Sequence, residues 1–216
     1  KGKIMILNII KRNRKYFAAE TDNRHKCKLL IDSNSENLEI GEHCLAVEDI
    51  SVRSKYGTDL IYKLSASAEA QAEQGIVSLK ADYNAILVDE SRALCGSWDK
   101  DEKTWIFPGF VSKGVDKLDE IFNSNSVTIE ITAREEICEY QKGIDFLGRP
   151  LCKASGRDSG ARINSDIAVI SGYATSGGSR NNWTTILNEG TVLMLQMPSK
   201  LLELYQDDRF DVKIIK

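Results

Sequence analysis

The stretch 3-KIMILNIIKRNRKYFAAETDNRHKCKLLI-31 contains three short runs of apolar and aromatic residues, which are separated by a basic turn and by the turn residues 21-TDNR-24. Short runs with alternating apolar positions, bounded by Asn, Asp and Ser, are typical of β-strands. We therefore predict strands over residues 3–10, 15–20 and 26–31.

Two further runs of the same kind, 44-CLAVEDISV-52 and 59-DLIYKL-64, follow after polar turns. Five short strands within residues 3–64 predict a small closed barrel, because closure removes the exposed strand edges. In strand count and spacing this segment resembles an OB-fold, and an SH3-like barrel fits the same pattern. The OB resemblance implies that the barrel grips single-stranded nucleic acid.

The rest of the chain mixes candidate strands and helices. Residues 65–75 are rich in Ala, Glu and Gln and predict a polar linker, either helical or flexible. Residues 76–216 lack the regular strand–helix alternation of a Rossmann fold. We therefore assign the chain to the α+β class, with a small five-stranded β-barrel domain over residues 1–64 and a mixed α+β domain over residues 76–216. Candidate strands of the second domain are 76–81, 83–88, 104–107, 127–132, 167–171, 191–197 and 210–215, and candidate helices are 112–123, 133–142 and 198–206.

Charge and cysteine usage narrow the functional classes. The net charge is −3, but residues 1–30 hold nine Lys and Arg against two acids. This basic arm suits contact with a polyanion, and lysines that protect a solvated strand edge produce the same pattern. No apolar run reaches the roughly 18 residues of a membrane span, so we expect no membrane partner. Five scattered cysteines without a CxxC favour a reducing cytosol, and a cytoplasmic location is predicted.

Two tryptophans flank a charged turn in 94-LCGSWDKDEKTWIF-107. If the turn is centred between Asp101 and Glu102, Trp98 lies directly across from Trp105 in a β-hairpin. A cross-strand aromatic pair of this kind fixes the register of the two strands. If this segment binds no ligand, the two tryptophans are interpreted as the core of a packed hairpin–helix unit.

The pattern Gly/Ser-Trp-Asp-x3-Lys-x-Trp-x-Phe, followed by a helix that ends Leu-x-x-Ile-Phe, resembles the HARP-type module of annealing helicases. The resemblance covers residues 92–122 and implies contact with single-stranded or forked DNA. No Walker A sequence is found in the chain, so the resemblance implies binding without ATP-driven activity. The residues carried over from it are Trp98, Asp99, Lys103, Trp105 and Phe107.

A tract rich in glycine and serine, 155-SGRDSGARINSDIAVISGYATSGGSRNNW-183, is a second candidate for anion contact. Glycine lets backbone N–H groups approach an anion, and arginine adds directed donors. The candidate binding residues are Arg157, Arg162 and Arg180, with Tyr173 and Trp183 to stack bases. The alternative is a pair of surface loops, with Arg157 paired to Asp158 or Asp166.

The first domain supplies the remaining candidate binding residues. On a strand, alternation puts Tyr16 and Phe17 on opposite faces, so that one ring is in the core and the other is available. The last hairpin of the barrel would present a second basic and aromatic group. The candidates are Arg12, Arg14, Lys15 and Tyr16 at the first turn, and Arg53, Lys55 and Tyr56 in the last hairpin.

The residue types present in the sequence give little support for enzymatic activity. The two histidines, His25 and His43, both lie in the first domain, which excludes a Ser-His-Asp arrangement in the second. We therefore predict no catalytic residue, no metal and no cofactor.

The predicted function is non-enzymatic binding of nucleic acid, with single strands favoured. The alternatives are a protein–protein adaptor or inhibitor with an acidic second domain, and a metal-dependent nuclease built on acid pairs such as Asp89-Glu90 or Asp207-Asp208.

Overall fold

The computed structural model describes residues 2–55 and 57–215. The strands are β1 (Gly2–Arg12), β2 (Tyr16–Thr21), β3 (Lys26–Leu30), β4 (Gly41–Asp49), β5 (Val52–Ser54), β6 (Gly57–Asp59), β7 (Ile61–Leu64), β8 (Ile76–Leu79), β9 (Ser97–Asp99), β10 (Thr104–Pro108), β11 (Ser126–Ala133), β12 (Ile137–Tyr140), β13 (Ile144–Phe146), β14 (Arg149–Ala154), β15 (Ala161–Ile163), β16 (Ala168–Ser171), β17 (Ala174–Gly178), β18 (Trp183–Leu187), β19 (Val192–Pro198) and β20 (Phe210–Ile215). The helices are α1 (Ala68–Ala72), α2 (Ala85–Ala93), α3 (Ser112–Phe122) and α4 (Ser199–Leu204), with a 3-10 turn at Gly109–Val111.

Strands dominate the chain, at 48% of residues against 16% in helices. The predicted N-terminal barrel is confirmed as a closed five-stranded barrel, and further sheets follow it. The α+β assignment needs correction, because the part beyond the barrel is mostly β.

One source of the error is the segment 133–142, which was predicted as a helix. It forms β12 instead, where Ile137 is buried and lies opposite Leu187 of β18. Pairing with a neighbouring strand outweighs the local helix propensity of its glutamates.

The opposite error occurs at residues 83–88, which were predicted as a strand. The side-chain oxygen of Asn84 accepts hydrogen bonds from the N–H groups of Ile86 (2.8 Å) and Leu87 (3.3 Å), and this caps the start of α2. A short apolar run does not by itself distinguish a buried strand from a capped helix.

The chain divides into two compact units. The first comprises residues 1–80 and 89–117, and the second comprises residues 81–88 and 118–216. In this division the tryptophan hairpin falls in the first unit, together with the barrel. The domain bounds 1–64 and 76–216 stay a prediction. The predicted linker at 65–75 contains α1, which Ser67 caps by accepting a hydrogen bond from Ala70.

The barrel closes in the order β1-β2-β3-β7-β4 and back to β1. The β3–β7 pair is parallel, and all the other neighbours are antiparallel. β1 serves two neighbours, since its first part pairs with β4 and its second part with β2, with an irregularity between Ile9 and Lys11. Alternate residues point inward and form a buried apolar core: Met5, Leu7, Ile9, Phe17, Ala19, Cys27, Leu29, Leu38, Leu45, Val47, Tyr62 and Leu64.

Other parts of the first unit cover the β1–β4 side of this barrel. Cys44 of β4 forms a disulfide with Cys95, 51 residues further along the chain. Gln71 of α1 is buried, and its side-chain oxygen accepts a hydrogen bond from the N–H of Ala46 at 2.8 Å. The outward side chains of β2 and β3 are exposed or partly exposed, and we call this surface the open side of the barrel.

The disulfide bears on the predicted location. Disulfides form and persist mainly in oxidising compartments, whereas the scattered cysteines were interpreted as favouring a reducing one. The cytoplasmic location therefore stays a prediction, and the Cys44–Cys95 bond argues against it.

The second unit is built from three small antiparallel sheets. Their orders are β16-β19-β11-β20, β12-β18-β17 and β13-β14-β15. Ile129 and Ile131 of β11 lie opposite Leu195 and Leu193 of β19, and all four side chains are buried. This row is the apolar face of the four-stranded sheet.

Among the helices that the structure describes, none combines the length and the apolar character needed to cross a membrane.

Candidate nucleic-acid interface

The open side of the barrel carries lysines in a row across its strands. Lys11 of β1 lies opposite Ala18 of β2, which lies opposite Lys28 of β3. Lys26 is two residues before Lys28 and therefore projects from the same face. These side chains point outward because their neighbours Phe17 and Cys27 fill the core. The result is an outward surface with Lys11 on β1 and with Lys26 and Lys28 on β3, on either side of β2. Glu20 of β2 lies opposite Lys26 on the same surface.

Tyr16 supplies an aromatic ring on the same face. Phe17 is fully buried and Tyr16 is not, which confirms that one of the two rings belongs to the core. The Lys28 Nζ lies 5.6 Å from the centre of the Tyr16 ring. A ring beside cationic side chains can stack on a base while the cations meet the phosphates.

Lys28 is the most constrained cation of this surface. Its Nζ lies 2.6 Å from Oδ2 of Asp59. The hydrogen bond to Asp59 is the main cause that raises the pKa of Lys28. Lys28 therefore stays protonated, with part of its charge already neutralised by Asp59.

The turn between β1 and β2 adds two cations at one end of the open side. The Asn13 N–H donates to the Tyr16 carbonyl and closes the turn at 2.9 Å. Arg14 and Lys15 at its tip are exposed. Within residues 2–55 and 57–215, no ion pair involves Lys11, Arg14, Lys15 or Lys26.

Arg12, unlike these four cations, is engaged in contacts with other parts of the chain. Its guanidinium packs 5.4 Å from the centre of the Phe17 ring and donates to the Glu36 carbonyl at 2.5 Å. The side chain is thus held by two contacts within the chain, although it is exposed. Because these contacts engage the Arg12 side chain within the chain, Arg12 is not included among the proposed ligand-binding residues.

The last hairpin of the barrel is formed by β5 and β6, inserted between β4 and β7. Arg53 lies in β5 opposite Thr58 and is exposed. Lys55 lies in the turn of this hairpin. Tyr56, the third predicted contact here, lies outside the described residues.

The tryptophan hairpin has the predicted register. Trp98 lies directly across from Trp105, and Asp99 lies across from Thr104. The two indoles meet edge to face, with 5.5 Å between ring centres. On its other side Trp105 lies opposite Leu79 of β8.

Burial divides the five residues of the helicase resemblance. Trp105 is 7% exposed and Phe107 is 1% exposed, so neither ring can stack on a base. The Asp99 carboxylate accepts hydrogen bonds from the N–H groups of Asp101 and Glu102, and it is thereby used to shape the turn. Trp98, which is 43% exposed, and the exposed Lys103 remain available.

The glycine- and serine-rich tract lies in the second unit and forms β15 to β18 with their connecting turns. Arg157 donates to both oxygens of the Asp158 carboxylate, and this pairing raises the pKa of Arg157. The Ser159 hydroxyl accepts hydrogen bonds from the N–H groups of Ser155 and Gly156. This part of the tract therefore matches the surface-loop interpretation, and Arg157 is not a free phosphate donor.

The other predicted residues of the tract are dispersed. Arg162 is exposed in β15 and lies opposite Lys153, whereas Arg180 is exposed at the tip of the β17–β18 hairpin. Trp183 is partly buried opposite Gly178, and Tyr173 is 61% exposed before β17. No described contact joins these side chains into one site.

Asp207, from one of the acidic pairs considered for a nuclease, has a structural role. Asp207 forms a two-pronged ion pair with Arg209, at 2.7 and 2.9 Å. Arg209 also donates to the Asp145 carbonyl and joins Glu139. Over the described ranges, no three His, Cys, Asp or Glu side chains gather into a group that could hold a metal ion.

The three described free cysteines differ in burial. Burial raises the pKa of Cys27 and of Cys152 to about 11, so both thiols are protonated near neutral pH. Cys138 is the exposed one of the three described free cysteines.

The second unit contains an open cavity of about 570 Å³. An ion pair between Arg149 and Asp166 stands on its wall, and Tyr83 is exposed at its lining. The volume lies in the range of small-molecule sites, but the wall has no nucleophile paired with a base.

Sequence reasoning missed Lys11, Lys26 and Lys28 as members of one surface. The signal was present, since strand alternation puts Lys26 and Lys28 on the same face of β3. What alternation could not give is the neighbour relation that brings Lys11 opposite Ala18.

Comparison with known proteins identifies no relative. A scan against protein-family models, a search of curated proteins and a search of solved structures each found no match.

Proposed function

We propose that this chain binds single-stranded nucleic acid, without catalysis, through the open side of its barrel. We name this surface the barrel face and define it as Lys11, Arg14, Lys15, Tyr16, Lys26 and Lys28. The observation that carries the proposal is the row formed by Lys11, Ala18 and Lys28 across three strands, beside a ring that is not buried. Cations beside an aromatic platform are the shared features of proteins that bind single strands.

The barrel topology supports the choice of this face. We infer that the barrel is of OB type rather than SH3-like, because its order β1-β2-β3-β7-β4 with one parallel pair is a five-stranded Greek key. OB-folds bind oligonucleotides on the face of their second and third strands, between the first and last loops. Here those strands are β2 and β3, the first loop carries Arg14 and Lys15, and the last loop is the β5–β6 hairpin.

The tryptophan hairpin is proposed as a secondary contact. Of the residues carried over from the annealing-helicase resemblance, Trp98 and Lys103 remain exposed. Loss of either side chain should weaken binding less than loss of the barrel-face cations, since only one ring and one charge are involved.

Neutralising the barrel face should weaken binding and flatten its salt dependence. The variant Lys11→Gln, Arg14→Gln, Lys15→Gln, Lys26→Gln removes four exposed cations that form no ion pair with any residue the structure describes. Each lost phosphate contact makes the negative slope of log K against log salt shallower by about 0.7 for single strands. The slope of the quadruple variant should therefore be shallower than that of the wild type by roughly 2.8. Fluorescence anisotropy with a labelled oligothymidine measures both quantities.

A matched control is Lys113→Gln, Lys117→Gln, which removes two exposed lysines of the same unit on α3. It should leave the salt slope close to that of the wild type. If the quadruple variant keeps the wild-type slope, single strands bind elsewhere and the barrel face is not the site.

A further inference from the structure

The four-stranded sheet of the second unit ends in an edge strand, β20, that pairs with β11 on one side only. Val212 is 46% exposed and Ile214 is 62% exposed. They lie opposite Ile131 and Ile129, which are buried, so the apolar face of the sheet continues to its open edge. An exposed apolar edge strand is a template for pairing with another chain.

The hydrogen-bond pattern identifies which backbone groups of β20 are open. The N–H of Arg134 donates to the carbonyl of Arg209, and the ladder continues through the pairs Thr132 with Asp211 and Glu130 with Lys213. Backbone groups alternate between the two sides of a strand. The N–H and C=O groups of Val212 and Ile214 therefore point away from β11, towards the open edge.

The charges of β20 favour one register of pairing with a second copy. Asp211 and Lys213 flank Val212 on the polar face. Asp211 pairs with Arg134 at 2.7 Å and Lys213 lies 4.0 Å from Glu130, yet their side chains stay 66% and 75% exposed. If two copies of β20 pair antiparallel with Val212 at the centre, Asp211 of each copy lies opposite Lys213 of the other. A shift of the centre by one residue in either direction places Asp211 opposite Asp211, or Lys213 opposite Lys213, and like charges directly opposite destabilise a sheet.

We propose that β20 is a self-association edge, through which two copies of this chain join their four-stranded sheets into one antiparallel sheet centred on Val212. In this register Val212 forms a hydrogen-bonded pair with its own counterpart, and the N–H of Ile214 donates to the carbonyl of Phe210 in the other copy. The N–H of Phe210 already donates to the Asp207 carbonyl of its own chain, at 3.1 Å. The side chains of the second copy extend the apolar face beside the groove of about 410 Å³ that Val212, Ile214 and Phe210 line. The two sheets are related by a two-fold axis, so the interface is closed and limits assembly to a dimer.

The first test is the mass of the particle in solution. Sedimentation equilibrium of the wild type should give twice the chain mass of 24.1 kDa at high concentration, with dissociation on dilution. The variant Val212→Pro removes an edge N–H that donates nothing to β11, and proline is tolerated at such edge positions. It should sediment as a monomer.

The second test keeps the strand intact and reads the register directly. In a Cys138→Ser background, Val212→Cys places two thiols at a hydrogen-bonded pair with about 5.5 Å between Cα atoms, which a disulfide can span. Mild oxidation should convert most of this variant to a covalent dimer. The control is Val169→Cys on β16, the other edge of the same sheet, where the valine is also 46% exposed.

A wild type that sediments as a monomer at every concentration overturns the proposal. It is equally overturned if Val212→Pro remains dimeric, or if the cysteine at 169 cross-links as well as the cysteine at 212. Cross-linking at 212 alone, together with a monomeric proline variant, establishes the edge and its register.

Discussion

Replacement of Trp105 by alanine is expected to lower the free energy of unfolding of the first unit by about 3–5 kcal/mol, the usual cost of removing a buried aromatic side chain. Trp105 is 7% exposed, packs edge to face on Trp98 and lies 6.5 Å from Phe107 between ring centres. It also lies opposite Leu79 of β8, so its loss opens a cavity in the middle of the β8-β10-β9 sheet.

The matched variant is Trp98→Ala, the other half of the same pair. Trp98 is 43% exposed, so its removal costs mainly the cross-strand aromatic contact, about 1 kcal/mol or less. Urea unfolding in a Trp183→Phe background measures both variants, because the remaining tryptophans report on the first unit alone. Equal losses for the two variants would show that the hairpin does not bury one ring and expose the other.

Removal of the Cys44–Cys95 disulfide is the second large effect. The bond closes a loop of 51 residues, and the chain-entropy relation gives about 4 kcal/mol for a loop of that length. The double variant Cys44→Ser, Cys95→Ser should therefore lower the free energy of unfolding of the first unit by roughly this amount, and thiol reductant should do the same to the wild type.

Two controls separate the bond from the side chains. Reductant should leave the double variant unchanged, and Cys138→Ser, which alters an exposed free cysteine, should unfold like the wild type. If the wild type shows the same urea midpoint with and without reductant, the two cysteines do not stabilise the first unit as a disulfide.

Features that depend on local pattern were predictable. The five barrel strands follow from alternation between turns, and the Trp98–Trp105 register follows from the symmetry of the charged turn. In both cases neighbouring residues along the chain determine the geometry, and the structure reproduces it.

Features that depend on contacts between distant parts of the chain were not predictable from the sequence. The Cys44–Cys95 bond joins residues in different segments, and no spacing rule pairs them. The assignment of 83–88 failed because the Asn84 cap decides between helix and strand, and that of 133–142 failed because β18 supplies a partner. Tertiary contacts override propensity at each of these places.

The candidate site shows the same division. Arg14, Lys15 and Tyr16 are neighbours in sequence and were recognised together. Burial of Trp105, and the engagement of Arg12 by Phe17 and Glu36, could be known only from the packed structure. Sheet pairing brings the lysines of β1 and β3 to either side of β2, and this relation defines the barrel face.

Binding of the wild type to single-stranded oligonucleotides at two salt concentrations tests the proposed function most directly. The four cations that make no ion pair with a described residue predict a slope of log K against log salt of about −2.8 or steeper, so that affinity should fall at least roughly 50-fold between about 50 and 200 mM salt. Duplex of the same length should bind more weakly, since its bases are not free to stack on Tyr16. Absence of binding to any single strand at the lower salt concentration would contradict the account.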